Sequence, residues 1–378
     1  MLFDNKSTAL DSERLITPEW TMDENEITRD SRDSHGLHVV IGAGAIGSGV
    51  ARALAAGDHR VRIITRSGSG PSGSSAPSGR SGVASPTEPP ELVAADASDA
   101  EAMARLTDGA AAIYNCANPP YHRWPELWPP IASALLGAAE RHGAVLVTIS
   151  NLYGYGPAPE SQGTTGYDAA HPMTEGTPLA AKGKKGSVRA QMWRDALAAH
   201  ETGRVRAVEV RASDYVGPGA ESVLGARVVP NVLGGKAVSV LGRTDRLHTW
   251  SFTGDVARMA VVAATDRRAW GHAWHAPSGP PRTQREAIGD LARMAGRAPV
   301  PVRAVPAVLI RAAGLFSPLM RELSETRYQF AEDFVMDSTA AQQAFGLEPT
   351  PWDQVLAEVL GSYGWQGPEQ SRHSDYRA

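Results

Sequence analysis

Residues 39–54 read VVIGAGAIGSGVARAL, and this stretch decides the fold. Its first three residues end an apolar, β-branched run at 37–41, which is typical of a strand buried on both faces of a parallel sheet. An alanine-rich segment at 46–56 predicts a helix. Strand and helix are joined by a glycine-rich turn of the pattern GxGxxG, formed by Gly42, Gly44 and Gly47.

Each glycine of this turn has its own physical role in a dinucleotide-binding fold. Gly42 permits the tight turn, Gly44 lets the backbone approach a pyrophosphate, and Gly47 lets the helix pack closely on the strand. The start of the helix supplies free N–H groups and a partial positive charge for the anion. We therefore expect the turn to bind a dinucleotide through Gly42, Gly44, Ala45, Ile46 and Gly47.

The chain continues as an alternation of apolar strands and helical stretches, which predicts a doubly wound parallel α/β sheet, the Rossmann fold. Right-handed crossovers place the carboxyl ends of the strands on one edge, where ligands bind. The predicted strands are 37–41, 61–65, 91–95, 110–116, 144–150 and 204–211. The predicted helices are 46–56, 98–106, 126–142, 186–200 and 254–264.

Changes in composition predict the domain boundaries. Residues 1–35 are polar and acidic without apolar periodicity, which predicts a disordered N-terminal arm. The Gly/Ser/Pro-rich segment 67–90 predicts a long exposed loop. We expect a dinucleotide-binding domain, a smaller and partly interleaved C-terminal substrate lobe, and a flexible tail. The dinucleotide-binding domain is predicted at 36–213, with the chain returning to it at about 251–279. The substrate lobe is predicted at 214–250 and 280–365, and the tail at 366–378.

Composition narrows the class of function. The net charge of −4 over 378 residues offers no basic field for nucleic acid, and the sequence has no apolar run of the roughly 20 residues that span a membrane. The single cysteine, Cys116, fits a reducing cytoplasm. No metal-binding motif is present, and we predict no metal. The sequence thus predicts a cytoplasmic protein with a small-molecule substrate.

The end of the second strand indicates the type of cofactor. An acidic residue there would accept hydrogen bonds from a ribose diol, whereas this chain has Arg66 and Ser67, which suit a 2′-phosphate. This favours NADP(H) over NAD(H), although a solvated arginine is the alternative. Asp96 and Ala97 follow the third strand, where Asp96 either receives the adenine amino group or caps the next helix.

Several further segments resemble the extended short-chain dehydrogenase/reductase family, the NAD-dependent epimerase/dehydratase group. They are YNCAN (114–118), LVTISNLYGYGP (146–157), RASDYVGPG (211–219), VLGRTDRLHTWSFTGDVARMA (240–260) and FGLEPTPW (345–352). The resemblance covers about 37–365 and implies a homodimer as the assembly. It also implies that Cys116, Ala117 and Asn118 lie beside the nicotinamide ribose.

The chain departs from this family at the catalytic positions. The family has a tyrosine and, four residues later, a lysine, and counting back from Arg211 lands this motif on KGSVR at 185–189. Lys185 then replaces the tyrosine, and Arg189 replaces the lysine, where its fork of donors suits ribose hydroxyls. The family's serine or threonine falls on Asn151, with Ser150 adjacent.

Three interpretations follow from this departure. Lys185 and Asn151 run an altered chemistry, or the site has lost hydride transfer and only senses cofactor, or the alignment register differs and a tyrosine supplies the acid. The candidate tyrosines are Tyr153, Tyr155, Tyr167 and Tyr215. Asp214 is either a general base or a cap of the next segment.

The resemblance implies an NAD(P)-dependent oxidoreductase or epimerase acting on a small oxygenated molecule. The alternatives are a non-redox isomerase, cyclase or lyase that uses the cofactor as a scaffold, and a cofactor-sensing regulator without enzymatic activity.

Overall fold

The computed structural model describes residues 36–70, 88–159, 166–306 and 325–367. The predicted N-terminal arm, most of the predicted loop at 67–90 and nearly all of the predicted tail lie outside these ranges. The described residues belong to one compact unit that spans 35–378, and the predicted boundary at 213 stays a prediction.

Strands and helices alternate from Leu37 onward, as the sequence predicts. The described strands are β1 (Leu37–Ile41), β2 (Arg60–Thr65), β3 (Glu91–Ala94), β4 (Ala110–Asn115), β5 (Val145–Asn151), β6 (Gly166–Tyr167), β7 (Arg206–Ala212), β8 (Asp214–Val216), β9 (Val238–Val240), β10 (Leu247–His248), β11 (Trp250–Phe252), β12 (Ala273–His275), β13 (Arg282–Thr283), β14 (Val302–Ala304) and β15 (Asp333–Phe334). The described helices are α1 (Ala45–Ala56), α2 (Ala100–Leu106), α3 (Trp124–His142), α4 (Lys184–Glu201), α5 (Val229–Leu233), α6 (Thr253–Thr265), α7 (Gln284–Met294), α8 (Tyr328–Ala331), α9 (Thr339–Phe345) and α10 (Trp352–Gly361).

Seven strands form one parallel sheet in the order β12-β7-β5-β4-β1-β2-β3. The chain runs outward from β1 through β2 to β3 and then returns to place β4 on the other side of β1. The strand order therefore reverses between β1 and β4, and a crevice opens there at the carboxyl edge. The predicted doubly wound fold is confirmed.

Helices cover both faces of this sheet. Successive side chains of β1 point to opposite faces, and Val39 and Val40 are both fully buried. Val39 packs in a cluster with residues of α2, α3 and α4. Val40 packs in a second cluster with residues of α1 and α6. Burial on both faces explains why β1 carries a continuous apolar run rather than an alternating pattern.

The C-terminal part of the chain builds smaller sheets and also returns to the large one. A four-stranded sheet has the order β13-β10-β15-β6, and two pairs, β11-β8 and β14-β9, are separate from it. Strand β12 joins the edge of the large sheet beside β7. Helix α6 packs on the same face of that sheet as α1. The domain bounds, including the return at about 251–279, stay predictions. Among the described helices, none is long and apolar enough to cross a membrane.

Candidate functional site

A cavity of about 360 Å³ opens at the carboxyl edge of the large sheet, beside the crevice between β1 and β4. Its wall combines the glycine turn, the segment after β4, the end of β5 and parts of the C-terminal region. The lining residues are Gly44, Ala45, Ile46, Gly47, Cys116, Ala117, Asn118, Tyr121, Trp124, Ile149, Asn151, Leu152, Tyr153, Arg189, Ala212, Ser213, Asp214, Tyr215, Gly219, Ala220, Glu221, Thr253, Gln329 and Phe334.

Two glycines of the turn are required by the protein itself. Gly42 has a φ of +98°, and a Cβ there would lie 2.7 Å from the carbonyl oxygen of Cys116. A Cβ on Gly47 would collide with the carbonyl oxygen of Gly42. Both positions therefore exclude a side chain because the turn and the helix pack closely on β1 and β4. Gly42 is not itself among the residues that line the cavity.

Gly44 differs from both, because no described atom of the protein would clash with a side chain at this position. A Cβ built there would meet no described atom within 4 Å, and its φ of −70° suits any residue. Gly44 is also the N-cap of α1, without a side-chain cap and without an acidic residue in the first turn. Free N–H groups at the mouth of a helix, next to open space, fit the pyrophosphate of a dinucleotide.

The other predicted cofactor residues divide into two groups. Ala45, Ile46, Cys116, Ala117 and Asn118 line the cavity with the glycine turn. Burial raises the pKa of the Cys116 thiol to about 12, so the thiol is neutral and unreactive there.

Arg66, Ser67, Asp96 and Ala97 are not among the described residues that line the cavity. Arg66 and Ser67 are exposed directly after β2. Asp96 accepts hydrogen bonds from the backbone N–H and the hydroxyl of Ser98, at 2.9 and 2.7 Å. Of the two aspartates in DASD (96–99), Asp99 and not Asp96 caps α2.

Arg189 lines the cavity from α4 and is held by two tryptophans. Its guanidinium carbon lies 4.7 Å from the ring centroid of Trp124 and 4.1 Å from that of Trp128, and Nη1 donates to the carbonyl of Ile149 at 3.2 Å. Burial lowers the pKa of Arg189 to about 10, so the side chain remains charged at neutral pH. Its Nε has no partner within the described part of the chain.

Lys185 is not among the described residues that line the cavity. Its side chain is 1% exposed, and Nζ lies 3.3 Å from Oε2 of Glu325 and 4.7 Å from the ring centroid of Tyr121. Glu325 also accepts the backbone N–H of Lys185 at 2.8 Å, in the first turn of α4. Lys185, the predicted acid, is thus held in an ion pair next to the ring of Tyr121.

Asn151 and Tyr153 stand together at the end of β5. The Oδ1 of Asn151 accepts the backbone N–H of Tyr153 at 3.1 Å, so the amide NH2 is the group available to donate to a ligand. The Tyr153 hydroxyl is hydrogen-bonded to Tyr121 and Gln329. Burial raises the pKa of Tyr153 well above its usual value, and the charges of Tyr121 and Asp214 act in the same direction.

The remaining candidates of β5 and the tyrosines have other partners. Ser150 is buried, and its carbonyl accepts the hydroxyl of Tyr215, a cavity residue, at 3.1 Å. Tyr155 is 1% exposed and outside the cavity lining, with its hydroxyl 2.7 Å from Nε2 of His275 and 2.9 Å from Nη1 of Arg211. Tyr167 is buried in a separate apolar cluster. The structure therefore brings Tyr153 and Tyr215 to the cavity, but not Tyr155 or Tyr167.

Within the described ranges, the side chain of Asp214 is paired with a histidine. Its Oδ2 lies 2.7 Å from Nε2 of His248, a residue of β10 that is 1% exposed. Asp214 itself lines the cavity. Sequence reasoning did not find this pair, nor the cavity residues Tyr121 and Gln329, because each belongs to a different segment and no local pattern links them.

Comparisons with known proteins place this geometry in a family. The model of the NAD dependent epimerase/dehydratase family matches residues 38–275. No curated protein sequence matches the chain.

Three solved structures have the same fold. They are a double mutant of dTDP-glucose 4,6-dehydratase from Streptomyces venezuelae with NAD bound (21% identity, 87% of this chain and 96% of that chain, TM-score 0.65), dTDP-glucose 4,6-dehydratase from Bacillus anthracis in complex with NAD (18%, 87% and 96%, 0.67) and UDP-glucuronic acid 4-epimerase from Bacillus cereus in complex with NAD (14%, 87% and 98%, 0.65). With a family model that matches more than half of its length, and with the cavity at the carboxyl edge of its sheet, this chain belongs to the NAD-dependent epimerase/dehydratase family of enzymes.

Proposed function

We propose that the chain binds NADP(H) in this cavity and uses it for hydride transfer at an alcohol or carbonyl carbon of a small oxygenated molecule, as a reductase or an epimerase. The observation that carries the proposal is Gly44, a glycine that the protein does not need for its own packing. The family membership supports the nicotinamide chemistry.

The residues that would hold the cofactor follow from their positions. The backbone N–H groups at the start of α1 would bind the pyrophosphate. Asn118 and Asn151 place amide groups in the same cavity. When bound, the nicotinamide would accept or give the hydride, and the chain would bind, orient and exclude water around the reacting carbon.

The preference for the phosphorylated cofactor rests on the end of β2. Arg66 and Ser67 are exposed there, and Arg66 lies close enough to Asp96 for its charge to lower the pKa of that carboxyl, after the hydrogen bonds from Ser98. An exposed guanidinium beside the adenosine end would pair with a 2′-phosphate. The solved structures named above contain NAD, and the proposed preference for NADP(H) rests on Arg66 and Ser67 alone.

The rest of the cavity suits a small, hydroxylated substrate. Its wall combines the rings of Tyr121, Tyr153 and Phe334 with the polar groups of Asn151 and Asp214. Aromatic surfaces with a few converging polar groups bind a compact molecule and orient its oxygens. A small-molecule substrate, a cytoplasmic location and a homodimer remain part of the proposal.

A second candidate function follows from the ion pair of Lys185. Because this residue is paired with Glu325, we infer that the position that supplies the acid in the related enzymes does not supply it here. An isomerase, cyclase or lyase that keeps the nicotinamide as a scaffold, without net redox change, would tolerate this arrangement.

Calorimetry with the four nicotinamide nucleotides tests binding, and a panel of ketones, aldehydes and alcohols tests turnover by absorbance of the reduced nicotinamide. We expect NADPH and NADP+ to bind more tightly than NADH and NAD+, and at least one panel member to be converted. Product analysis by NMR detects epimers or isomers formed without a net absorbance change. Failure of all four nucleotides to bind would overturn the proposal, and binding without conversion would favour a sensor.

A further inference from the structure

The pair formed by Asp214 and His248 contains a hydrogen-bonding arrangement that requires an extra proton. Nδ1 of His248 lies 3.2 Å from the carbonyl oxygen of Gln329, and Nε2 lies 2.7 Å from the carboxylate Oδ2 of Asp214. Both partners are acceptors, whereas a neutral imidazole can donate from only one of its nitrogens. Without a further proton, one of these two contacts would set a nitrogen lone pair against an oxygen lone pair, at the carboxylate or at the carbonyl depending on the tautomer.

His275 shows the opposite arrangement in the same protein. Its Nδ1 lies 2.6 Å from the carbonyl oxygen of Asp337, and its Nε2 lies 2.7 Å from the hydroxyl of Tyr155. One partner accepts and the other can donate, which suits a neutral ring. The two histidines therefore differ in their hydrogen-bond partners and not in their burial, because both are at most 1% exposed.

The surroundings of His248 suit a cationic ring. Its ring is stacked on Phe330, with centroids 4.6 Å apart and planes at 11°, and on Phe334, at 5.4 Å and 24°. Trp250 is a third aromatic neighbour at 4.9 Å. Aromatic faces attract a cation placed over them. This enclosure also keeps water from the ring, so Asp214, whose side chain is 23% exposed, is the member that meets the cavity.

We propose that Asp214 and His248 share one proton at the cavity wall, and that Asp214 is the catalytic residue that exchanges this proton with the reacting oxygen of the substrate. His248 is its positioning residue and proton reservoir. The inference rests on the proposed function and assigns the acid that Lys185 does not supply. Asp214 is well placed for it: Ala212, two residues earlier, is the register partner of Asn151 in the large sheet.

The proposed step balances as follows in the direction of reduction. A bound reduced nicotinamide would supply the hydride to the carbonyl carbon of the substrate, whose C=O double bond would become a single bond. The carbonyl oxygen receives the proton from Asp214. The pair is left as a carboxylate beside neutral His248 and regains its proton from water. In the direction of oxidation, the substrate hydroxyl proton moves to the carboxylate.

Other ionisable groups surround the pair and bear on any pH profile. Arg282 is opposite His248 in the pairing of β10 with β13, and Asp333 lies on the neighbouring strand β15. Burial raises the pKa of each nearby tyrosine, and the charge of Asp214 adds to this effect. These tyrosines are Tyr121, Tyr153, Tyr215 and Tyr328.

The proton itself is tested by ¹⁵N NMR of the histidine rings in the cofactor-free protein, with His248 assigned from its loss in His248→Gln. We expect both ring nitrogens of His248 to be protonated at pH 7, and only one in Asp214→Asn. His275 should show one protonated nitrogen in both proteins. An unprotonated Nε2 in the wild-type protein would overturn the shared proton.

Catalysis is tested on the same variants with NADPH and the substrate found in the panel. We expect Asp214→Asn to lower kcat by about 10²- to 10⁴-fold while KM changes much less. His248→Gln should give a smaller loss and move the limb of the pH profile that reports the pair. Asp168→Asn removes a more exposed Asp–His pair, with Asp168 Oδ1 and His171 Nδ1 3.2 Å apart, and is the matched control.

Cofactor binding separates the two proposals. Asp214→Asn should bind NADPH as tightly as the wild-type protein, because Asp214 is not part of the glycine turn and the start of α1, which would bind the pyrophosphate. Wild-type kcat in Asp214→Asn would overturn the role of Asp214 and leave the proposed function standing. Failure of the wild-type protein to bind any nicotinamide nucleotide would overturn the proposed function, while the NMR result would still decide the shared proton.

Discussion

Lys185 forms an ion pair with Glu325, in which Nζ lies 3.3 Å from Oε2 at the buried first turn of α4. Glu325 also accepts the backbone N–H of Lys185, so one carboxylate satisfies both the side chain and the start of the helix. This relationship makes Lys185 a residue of the fold. A proton donor in the cavity would need a position on its wall, which Lys185 lacks among the described residues.

We therefore expect Lys185→Met to reduce stability more than chemistry. Removing one partner of a buried pair should lower the free energy of unfolding by about 3 kcal/mol, and Lys185→Met/Glu325→Gln should recover part of this loss. Urea denaturation measures both. Lys184→Met, at the exposed neighbouring position, is the control and should change stability little. A fully stable Lys185→Met protein without turnover would return the acid role to Lys185.

Gly44→Ala should separate cofactor binding from folding. Its Cβ would meet no described atom within 4 Å, and the poorer N-cap that alanine makes is offset by the lower entropy of the unfolded chain, so the free energy of unfolding should change by no more than about 1 kcal/mol. The added methyl group would occupy the space of the pyrophosphate, and we expect NADPH affinity to fall at least about tenfold, which is about 1.4 kcal/mol.

Gly137→Ala is the control for this experiment, because Gly137 lies within α3 and a Cβ there also meets no described atom within 4 Å. It should be at least as stable as the wild-type protein, because alanine favours a helix interior over glycine, and it should match the wild-type protein in NADPH affinity. Equal NADPH affinity of Gly44→Ala and the wild-type protein would argue against pyrophosphate binding at the glycine turn.

Much of the large sheet could be predicted because its signals are local. The apolar run of β1 and the glycine turn carry their meaning within 20 residues, and α1 and β2 lie within one residue of their predicted bounds. Strands of two or three residues, such as β8, β10 and β15, were not predicted. Segments this short show no hydrophobic periodicity, and only their partners define them.

The chemical part of the cavity could be predicted less well, for a physical reason. Asn151 and Arg189 were found because they replace residues of a known local motif. Glu325 lies 140 positions from Lys185, and His248 lies 34 positions from Asp214. Such contacts form when segments that are distant in sequence pack together. No local sequence pattern around one partner predicts the position of the other.

Arg66→Ala should change the choice of cofactor. If Arg66 pairs with the 2′-phosphate, its loss removes a charge-assisted interaction worth about 1.5–3 kcal/mol, and NADPH affinity should fall about 10- to 100-fold. NADH lacks this phosphate, so its affinity should stay nearly constant. Calorimetry with both nucleotides measures the ratio.

Arg60→Ala removes an exposed arginine at the other end of the same strand and should leave both affinities unchanged. Parallel losses of NADPH and NADH affinity in Arg66→Ala would instead point to a general electrostatic effect, and no loss of either would favour a solvated arginine.

His275 should make the protein sensitive to acid. Burial, as the largest cause, lowers the pKa of His275 from 6.5 to about 4. Between these values the unfolded chain binds a proton that the folded chain does not, so the contribution of His275 to stability is complete above pH 6.5 and is lost as the pH falls towards 4. The loss from this residue should approach about 1.4 kcal/mol per pH unit and total about 3 kcal/mol.

Urea denaturation at a series of pH values measures this slope. His275→Gln should be less stable at pH 7, because it changes the contacts with Tyr155 and Asp337, but its stability should fall less steeply between pH 6.5 and 4. His171→Gln, at an exposed histidine, should keep the wild-type slope. Equal slopes for His275→Gln and the wild-type protein would mean that the ring takes up its proton in the folded state, which the burial of the ring argues against.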